Sequence, residues 1–460
     1  MALRKNTLAV QSDSELLSYI INQNPILSEN IDLPVQGESI KPIGQKIINN
    51  ERYRNAFINT VNLIGLTIIK RNGWDNPWDF TVRGTLSFGQ QIRELILDLC
   101  NVYDYNKELK EDEAGFIKSV VPNVFNYIHE VNFQKFYKTS TSDAQLAMAF
   151  EREGNLFQFI EEAISMLYES LKYDRFIVDK YMLCRRILDG TVTPTQIANY
   201  DTLTPRQRVS ALKAVSNKFT FRNPNYNPAG IRKATSFDDQ ILIVNTEFEA
   251  DFSTDVLATS YFRDEADMRS RLALIDSFSQ HDNDRLQKLL LDAYIPFTED
   301  EIEELEKIPA VLISREWFMD YYYLLDNAGE TKELSFYNPQ TLRNNHYLHA
   351  WMVFSTSPFE QATVFTPTAG TVTAVSVSPQ SSTVSAGGQV QLTAKVTTTG
   401  FVNKAVKWSV TKGSEGGATV DQNGLVKIPS GFTPASSAVQ IIATSIYDNT
   451  KTGTASITVA

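Results

Sequence analysis

The segment Phe365-Thr366-Pro367-Thr368-Ala369-Gly370-Thr371 divides this chain in two. Before it the sequence is rich in aromatic and charged residues; after it Ser, Thr, Val and Gly dominate. Proline and glycine so close together interrupt any helix or strand arriving from either side, so residues 367–371 read as a linker. A chain of 460 residues exceeds what one hydrophobic core ordinarily organises, and the break says where the division falls. Charge changes at the same place. Thr371 to Ala460 carries six Lys, no Arg and three acidic residues, a net +3; of the formal −11 for the whole chain, the preceding residues therefore hold −14.

The C-terminal part alternates with a period of two. Val375 and Val377 form one run, Val390, Leu392, Ala394 and Val396 a second, Val406, Trp408 and Val410 a third, and Ile441 and Ala443 a fourth. Gly387-Gly388, Asn423-Gly424 and Gly453 supply turns between them. Short strands at this spacing predict an immunoglobulin-type β-sandwich over 372–460, with Trp408 as a core anchor rather than a ligand-binding residue. The successive runs VTAVSVSP, VSAGGQVQLTA, VKWSV, ATVDQNGLV, IIATS and GTASITV resemble the bacterial Ig-like group 2 domain in order and throughout its length.

Residues 1–50 mix polar residues with Pro25, Pro34 and Pro42 and show no long amphipathic period, which predicts an extended arm. From Trp74 to about Thr141 the pattern is mixed. It suggests a helix around Ile92 to Val102, an alternating run in VFNYIHEVNFQKFY, and an excursion from the main body. Asn155 is placed to cap a helix in which Leu156, Ile160, Ala163, Leu167 and Leu171 recur every three or four residues. Continued to Leu188 this helix spans about 50 Å, a long beam for a globular enzyme. ILIVN (Ile241 to Asn245) and VLIS (Val311 to Ser314) read as buried strands, the first followed by a helix-like stretch through Asp255 and Leu257. HYLHAWMVFSTS reads as a further strand after the aromatic segment REWFMDYYYLLDN. The fold class is α+β, with an all-β sandwich at the C-terminus.

Four segments carry a second resemblance: VPNVFNYIHEVNFQKFY, the helix opened by GNLFQFIEEAI, ILIVNTEFEADFSTDVLA, and SREWFMDYYYLLDN followed by NNHYLHAWMVFSTSPFEQATVF. They resemble the major capsid proteins of small podoviruses, which have the Hong Kong 97-type capsid fold, over most of residues 50–366. The resemblance implies an N-arm over 1–50 and a capsid domain over 51–366. Within that domain it implies an extended E-loop over about 71–141, a long spine helix over about 155–189 and an axial domain over about 240–365. His281 to Pro309 has less obvious correspondence and reads as an insertion. The function implied by the resemblance is that of a major capsid protein, which self-assembles into the icosahedral head of a bacteriophage. Its partners would be copies of itself in pentamers and hexamers, a scaffolding protein, a portal protein, and the enclosed double-stranded DNA without sequence-specific binding. Assembly would take place in the host cytoplasm, and the final location would be the virion capsid.

The remaining chemistry is sparse. There is no G-x-S-x-G, P-loop, H-E-x-x-H or paired C-x-x-C. Of four histidines, only His346 and His349 are close in sequence, and on a strand residues three apart face opposite sides and cannot share a metal. A calcium loop opening at Asp282 and Asp284 fails, because its sixth position is Gln287 and its twelfth Ala293. TEDEIEELEK (Thr298 to Lys307) reads as an exposed helix capped by Thr298, with an acidic contact patch as the sharper alternative. Cys100 and Cys184 lack zinc or disulfide spacing and are expected as buried free thiols. Lys107, Lys110 and Lys118 in the expected E-loop read as surface lysines. No catalytic, cofactor-binding or metal-binding residue is assigned, and no enzyme activity is expected. No stretch approaches the ~20 apolar residues that span a bilayer, and Leu8, Ala9 and Val10 are too short a run for a signal-peptide core. That counts against the alternative of a bacterial surface adhesin, in which such Ig-like domains are also common. Net acidity is compatible with enclosing DNA without gripping it.

Overall fold

The computed structural model describes residues 12–34, 39–58, 60–61, 74–87, 90–97, 99–100, 124–150, 165–246, 271–323, 331–341, 343–412, 416–421, 423–432 and 438–459. The expectations for Asn155, Leu156, Ile160 and Ala163, for the stretch through Asp255 and Leu257, and for Lys107, Lys110 and Lys118 lie outside these residues.

Most of the described residues among the first 50 are in helices: α1 (Asp13–Gln23), α2 (Pro25–Ser28) and α3 (Lys41–Ile48). This corrects the expectation of an extended run. Pro25 and Pro42 lie in the first turn of α2 and α3, where a missing N–H breaks no helical hydrogen bond, so they start helices here rather than prevent them. Ser12 caps α1 through the Glu15 amide, and the Asn24 side chain caps α2. Leu16, Leu17, Ile20 and Ile21 face one way and pack with Ile47, Phe57 and Phe150 in a small separate core that also takes in α4 (Asp143–Ala149).

The main body is organised around α5 (Met166–Leu188), which is buried on every side from Asp174 to Tyr181, the mark of a core beam rather than a surface helix. Its 23 residues span about 34 Å. Leu167 and Leu171, read from the sequence as part of its apolar face, are buried in the main core. The helix closes in a Schellman turn, with the Gly190 N–H donating to Ile187 O at 3.0 Å and the Thr191 N–H to Arg186 O at 3.1 Å. Gly190 has φ +74°, a conformation that costs glycine little.

Two sheets flank this helix. One is five-stranded, with β11 (Arg343–Val353) paired to β4 (Phe133–Ser142) on one side and to β10 (Lys332–Asn338) and β9 (Asp320–Tyr323) on the other; β1 (Val82–Leu86) runs parallel to β9. Between β1 and β4 the hairpin of β2 (Ile92–Leu97) and β3 (Val124–His129) leaves the body. The helix expected around Ile92 to Val102 is therefore a strand at least to Leu97. Arg, Glu and Leu suit a helix, but here Ile92 through Leu97 each find a cross-strand partner on β3, and that pairing outweighs local propensity.

The other sheet has the order β5 (Thr193–Gln196), β12 (Ala362–Thr366), β8 (Ala310–Ser314), β6 (Gln240–Asn245), β7 (Leu272–Ile275). Alternation of side chains across a strand explains why its central members are apolar at nearly every position. Ile241, Ile243, Val311 and Ile313 point into the core around α5, while Leu242, Val244, Ala310 and Leu312 point to α6 (Pro205–Phe219) on the opposite face. α6 starts in a Thr204–Gln207 capping box and presents Val209, Leu212, Val215 and Phe219. The stretch from His281 to Pro309 forms α7 (Asn283–Leu290) and α8 (Glu299–Glu306), and Thr298 caps α8 as expected.

Beyond Pro367–Gly370 the next strand begins at Thr371. The C-terminal domain pairs β13 (Thr371–Ser378) with β16 (Thr393–Thr399). A four-stranded sheet has the order β14 (Ser381–Val384), β21 (Thr452–Val459), β20 (Ala438–Ser445), β17 (Val406–Lys412). A third places β19 (Leu425–Lys427) between β15 (Gln389–Gln391) and β18 (Thr419–Val420). Trp408 packs with Leu392, Val426, Ile441, Ala443 and Ile457 in the sandwich core, the anchor role expected of it. Cys184 is buried, but Cys100 is exposed, contrary to the expectation for both thiols.

Candidate functional site: exposed apolar surfaces

Among the described residues no cluster of three or more potential metal ligands occurs. His346 is buried between Thr141 and Ser335, its Nε2 and Nδ1 each 3.0 Å from a hydroxyl, and burial lowers its pKa to about 4. Held neutral and doubly bonded, it ties β4, β10 and β11 together. His349 lies on the other face of β11 beside Phe136 and Tyr347, as the strand period requires. His281 is likewise lowered to about 4 by burial; its Nε2 is 2.9 Å from Phe278 O and its ring stacks on Phe297. Asp282 caps α7 through the Arg285 amide, a structural use of the residue that opened the rejected calcium loop.

One arrangement looks like a nucleophile relay. His129 Nδ1 lies 2.8 Å from Ser355 Oγ and Nε2 lies 3.2 Å from Glu94 Oε2. The His129 side chain has no exposed area, however, so a substrate has no access to the nitrogens that would move the proton. The trio instead pins the root of the β2–β3 hairpin to the segment after β11. Sequence spacing could not have found it, because Glu94, His129 and Ser355 are distant in the chain.

The surfaces that stand out are apolar and exposed. The outward face of the β4–β11–β10 sheet carries Phe136 (60% exposed), Leu334 and Phe336 (54%), with Tyr347 between them. Phe336 stacks on Tyr347 at 5.3 Å between ring centres, Phe136 lies 6.0 Å from the same ring, and Lys138 Nζ sits 5.5 Å over it. The hairpin is exposed as well: among the described residues, Leu95, Leu97 (63% exposed), Val124 and Ile128 are open to solvent on its two strands. Contiguous exposed apolar area of this kind marks a contact surface. The sequence pattern contained its signal in the alternating run VFNYIHEVNFQKFY, but alternation does not say which of the two faces is covered.

Comparison with known proteins fits a surface built for contacts. Residues 29–366 match the Phi29-like phage major capsid protein family, and residues 371–458 match the bacterial Ig-like domain (group 2). The chain is 27% identical over 420 residues to the major capsid protein of Bacillus phage GA-1, covering 88% of this chain and 81% of that protein. It is 26% identical over 430 residues to the major capsid protein of Bacillus phage PZA, covering 92% and 88% respectively. Among solved structures, a chain from the capsid of Staphylococcus phage Andhra is similar with a TM-score of 0.47 and 12% identity, over 64% of this chain and 84% of that one. The relatives are capsid proteins, which supports capsid function and not the adhesin alternative. Because the family match extends over most of its length, the chain belongs to the Phi29-like phage major capsid proteins and carries a bacterial group 2 Ig-like domain at its C-terminal end.

Proposed function

We propose that copies of this chain form the pentamers and hexamers of an icosahedral head, assembled in the host cytoplasm with a scaffolding protein and a portal protein and enclosing double-stranded DNA. No catalytic step belongs to this role. The observation that carries the reading is the pair of exposed apolar surfaces among the described residues, on the β2–β3 hairpin and on the β4–β11–β10 sheet, in a chain of a capsid family. Extended and exposed segments that bury little area in their own subunit gain it from a neighbour. In this reading residues 1–50 serve as the N-arm, 71–141 as the E-loop, 155–189 as the spine helix and 240–365 as the axial domain. Residues 367–371 connect this body to the Ig-like domain over 372–460. The net −14 of the body suits a wall that surrounds DNA without binding it tightly.

Expression with the scaffolding partner and electron microscopy of the products tests the reading, and shells are the expected result. Phe136→Asp is expected to lower shell yield about tenfold or more, because central aromatic anchors at interfaces are worth about 2 kcal/mol or more. The subunit itself should stay folded, since Phe136 is 60% exposed and removing it leaves no cavity. Normal shells from Phe136→Asp would show that this face meets no neighbour.

A further inference from the structure

Two features of the sequence find no use in the assembly reading: the stretch His281 to Pro309, with its acidic helix, and the +3 charge of the C-terminal domain. In the folded chain they meet. The loop 400–404 of the Ig-like domain, between β16 and β17, reaches both α8 and the C-terminal end of α5. The Gly400 N–H donates to Glu304 Oε1 at 3.1 Å, and the Lys404 ammonium donates to the Leu188 carbonyl oxygen. Phe401 packs against the main core of the body, and Val402 is 2% exposed.

We propose that the segment 281–309 is a seat for the Ig-like domain, and that the domain is a fixed clamp on the end of the long helix rather than an appendage on a free tether. The clamp works by completing a helix terminus. The Schellman turn at Gly190 satisfies the carbonyls of Arg186 and Ile187, and Lys404 takes that of Leu188. A cation there also faces the negative end of the helix dipole, which falls off within the last turn and so acts only on a charge held in place. The approach is close. A Cβ at Gly190 would lie 2.8 Å from Lys404 N and Val402 O, so the loop and the helix end meet backbone to backbone.

The seat is built from the same stretch. Arg185 at the end of α5 pairs with Glu301 at 3.1 Å and donates to the carbonyls of Ile295 and Pro296, fixing α8 beside the helix end. One helical turn after Glu301, Glu304 then receives the Gly400 amide. The linker is part of the joint: a Cβ at Gly370 would come within 2.3 Å of Phe401 O, and the Tyr447 hydroxyl donates to Gly370 O at 3.2 Å. Acidic residues crowd α8, at Glu299, Asp300, Glu301, Glu303, Glu304 and Glu306, opposite a domain of net positive charge. That complementarity orients the approach, and the buried loop contacts hold it.

The test uses unassembled full-length subunits, so it is independent of whether shells form. Under limited digestion with proteinase K, the wild-type linker Pro367–Gly370 should resist cleavage. The double variant Glu304→Ala/Lys404→Ala should release the C-terminal domain about tenfold faster or more, as a joint that opens more often exposes its connection. Glu304→Gln, which keeps an acceptor for the Gly400 amide, should behave much closer to wild type. Circular dichroism of both variants checks that each domain remains folded. Wild-type linker cleaved as fast as the double variant, with both chains folded, would overturn the proposal and leave the domain as a tethered decoration. If Glu304→Ala/Lys404→Ala destabilises the chain too far to purify, Phe401→Ser provides the second measurement: release without loss of the Ig-like fold supports the clamp, and unchanged resistance refutes it.

Discussion

Leu183→Asp is expected to leave almost no soluble, assembly-competent chain. Leu183 lies on α5 with no exposed area and belongs to the main core, where both sheets and the helix meet. The change removes the transfer energy of a leucine, about 2–5 kcal/mol with the cavity it leaves, and puts in a carboxyl that must either lose its charge or stay unpaired. Domains are stable by only about 5–15 kcal/mol, so one such change takes most of that margin. Met166→Asp on the same helix is the control. Met166 is 62% exposed, so a carboxylate there stays in solvent and costs little. Soluble yield and circular dichroism of the two variants should therefore diverge sharply. Equal solubility would show that α5 is not the beam of the body.

The second large effect is a dependence on pH. Asp179 of α5 and Asp320 of β9 are both fully buried and adjacent, and the Thr81 hydroxyl donates to Asp179 Oδ2 at 2.9 Å. The cation beside them is Arg175, whose Nη1 donates to the Tyr322 hydroxyl at 3.1 Å and whose Nη2 is 3.3 Å from Asp79. Burial raises Asp179 to about 7, and burial together with the neighbouring Asp179 charge raises Asp320 well above the usual carboxylate range. The folded pair therefore keeps a proton that the unfolded chain releases near pH 4. With more protons bound in the folded state than in the unfolded one, stability is full below about pH 4. It falls as pH rises from about 4 through about 7.

Asp320→Asn removes one of the two charges and offers its amide as a donor to Asp179. Thermal melts should place this variant above wild type at about pH 8 and close to it at about pH 4, with a shallower slope between. A variant less stable than wild type by the same amount at every pH would mean that the pair holds no proton. Such a lock matters to the architecture because it joins the root of β1, the middle of α5 and the start of β9 at one point.

Certain local features could be read directly from residues. The short continuous apolar runs VLIS and ILIVN produced strands β8 and β6, the Thr298 cap produced α8, and Trp408 entered the core of its sandwich, each because the signal is short-ranged. Prolines misled for residues 1–50: whether a proline opens a helix or prevents one depends on whether it lies in the first turn, and Asn24, which caps α2, sits just before Pro25. The stretch Ile92 to Leu97 misled for a different reason. Its helix-forming residues become strand once β3, from Val124 onward, supplies partners.

By itself the sequence determined the change of composition at 365–371, the α+β class with a β-sandwich pattern after it, and the family, because composition breaks, hydrophobic periods and long matched runs are properties of neighbouring residues. Only the tertiary structure decided which apolar faces stay open, that Asp179 and Asp320 share one buried site, and that loop 400–404 closes the end of α5. Each of these depends on residues far apart in the chain meeting at close range. Burial, a shared proton and a completed helix terminus exist only once the partners are in contact, and no period or spacing along the chain encodes the meeting.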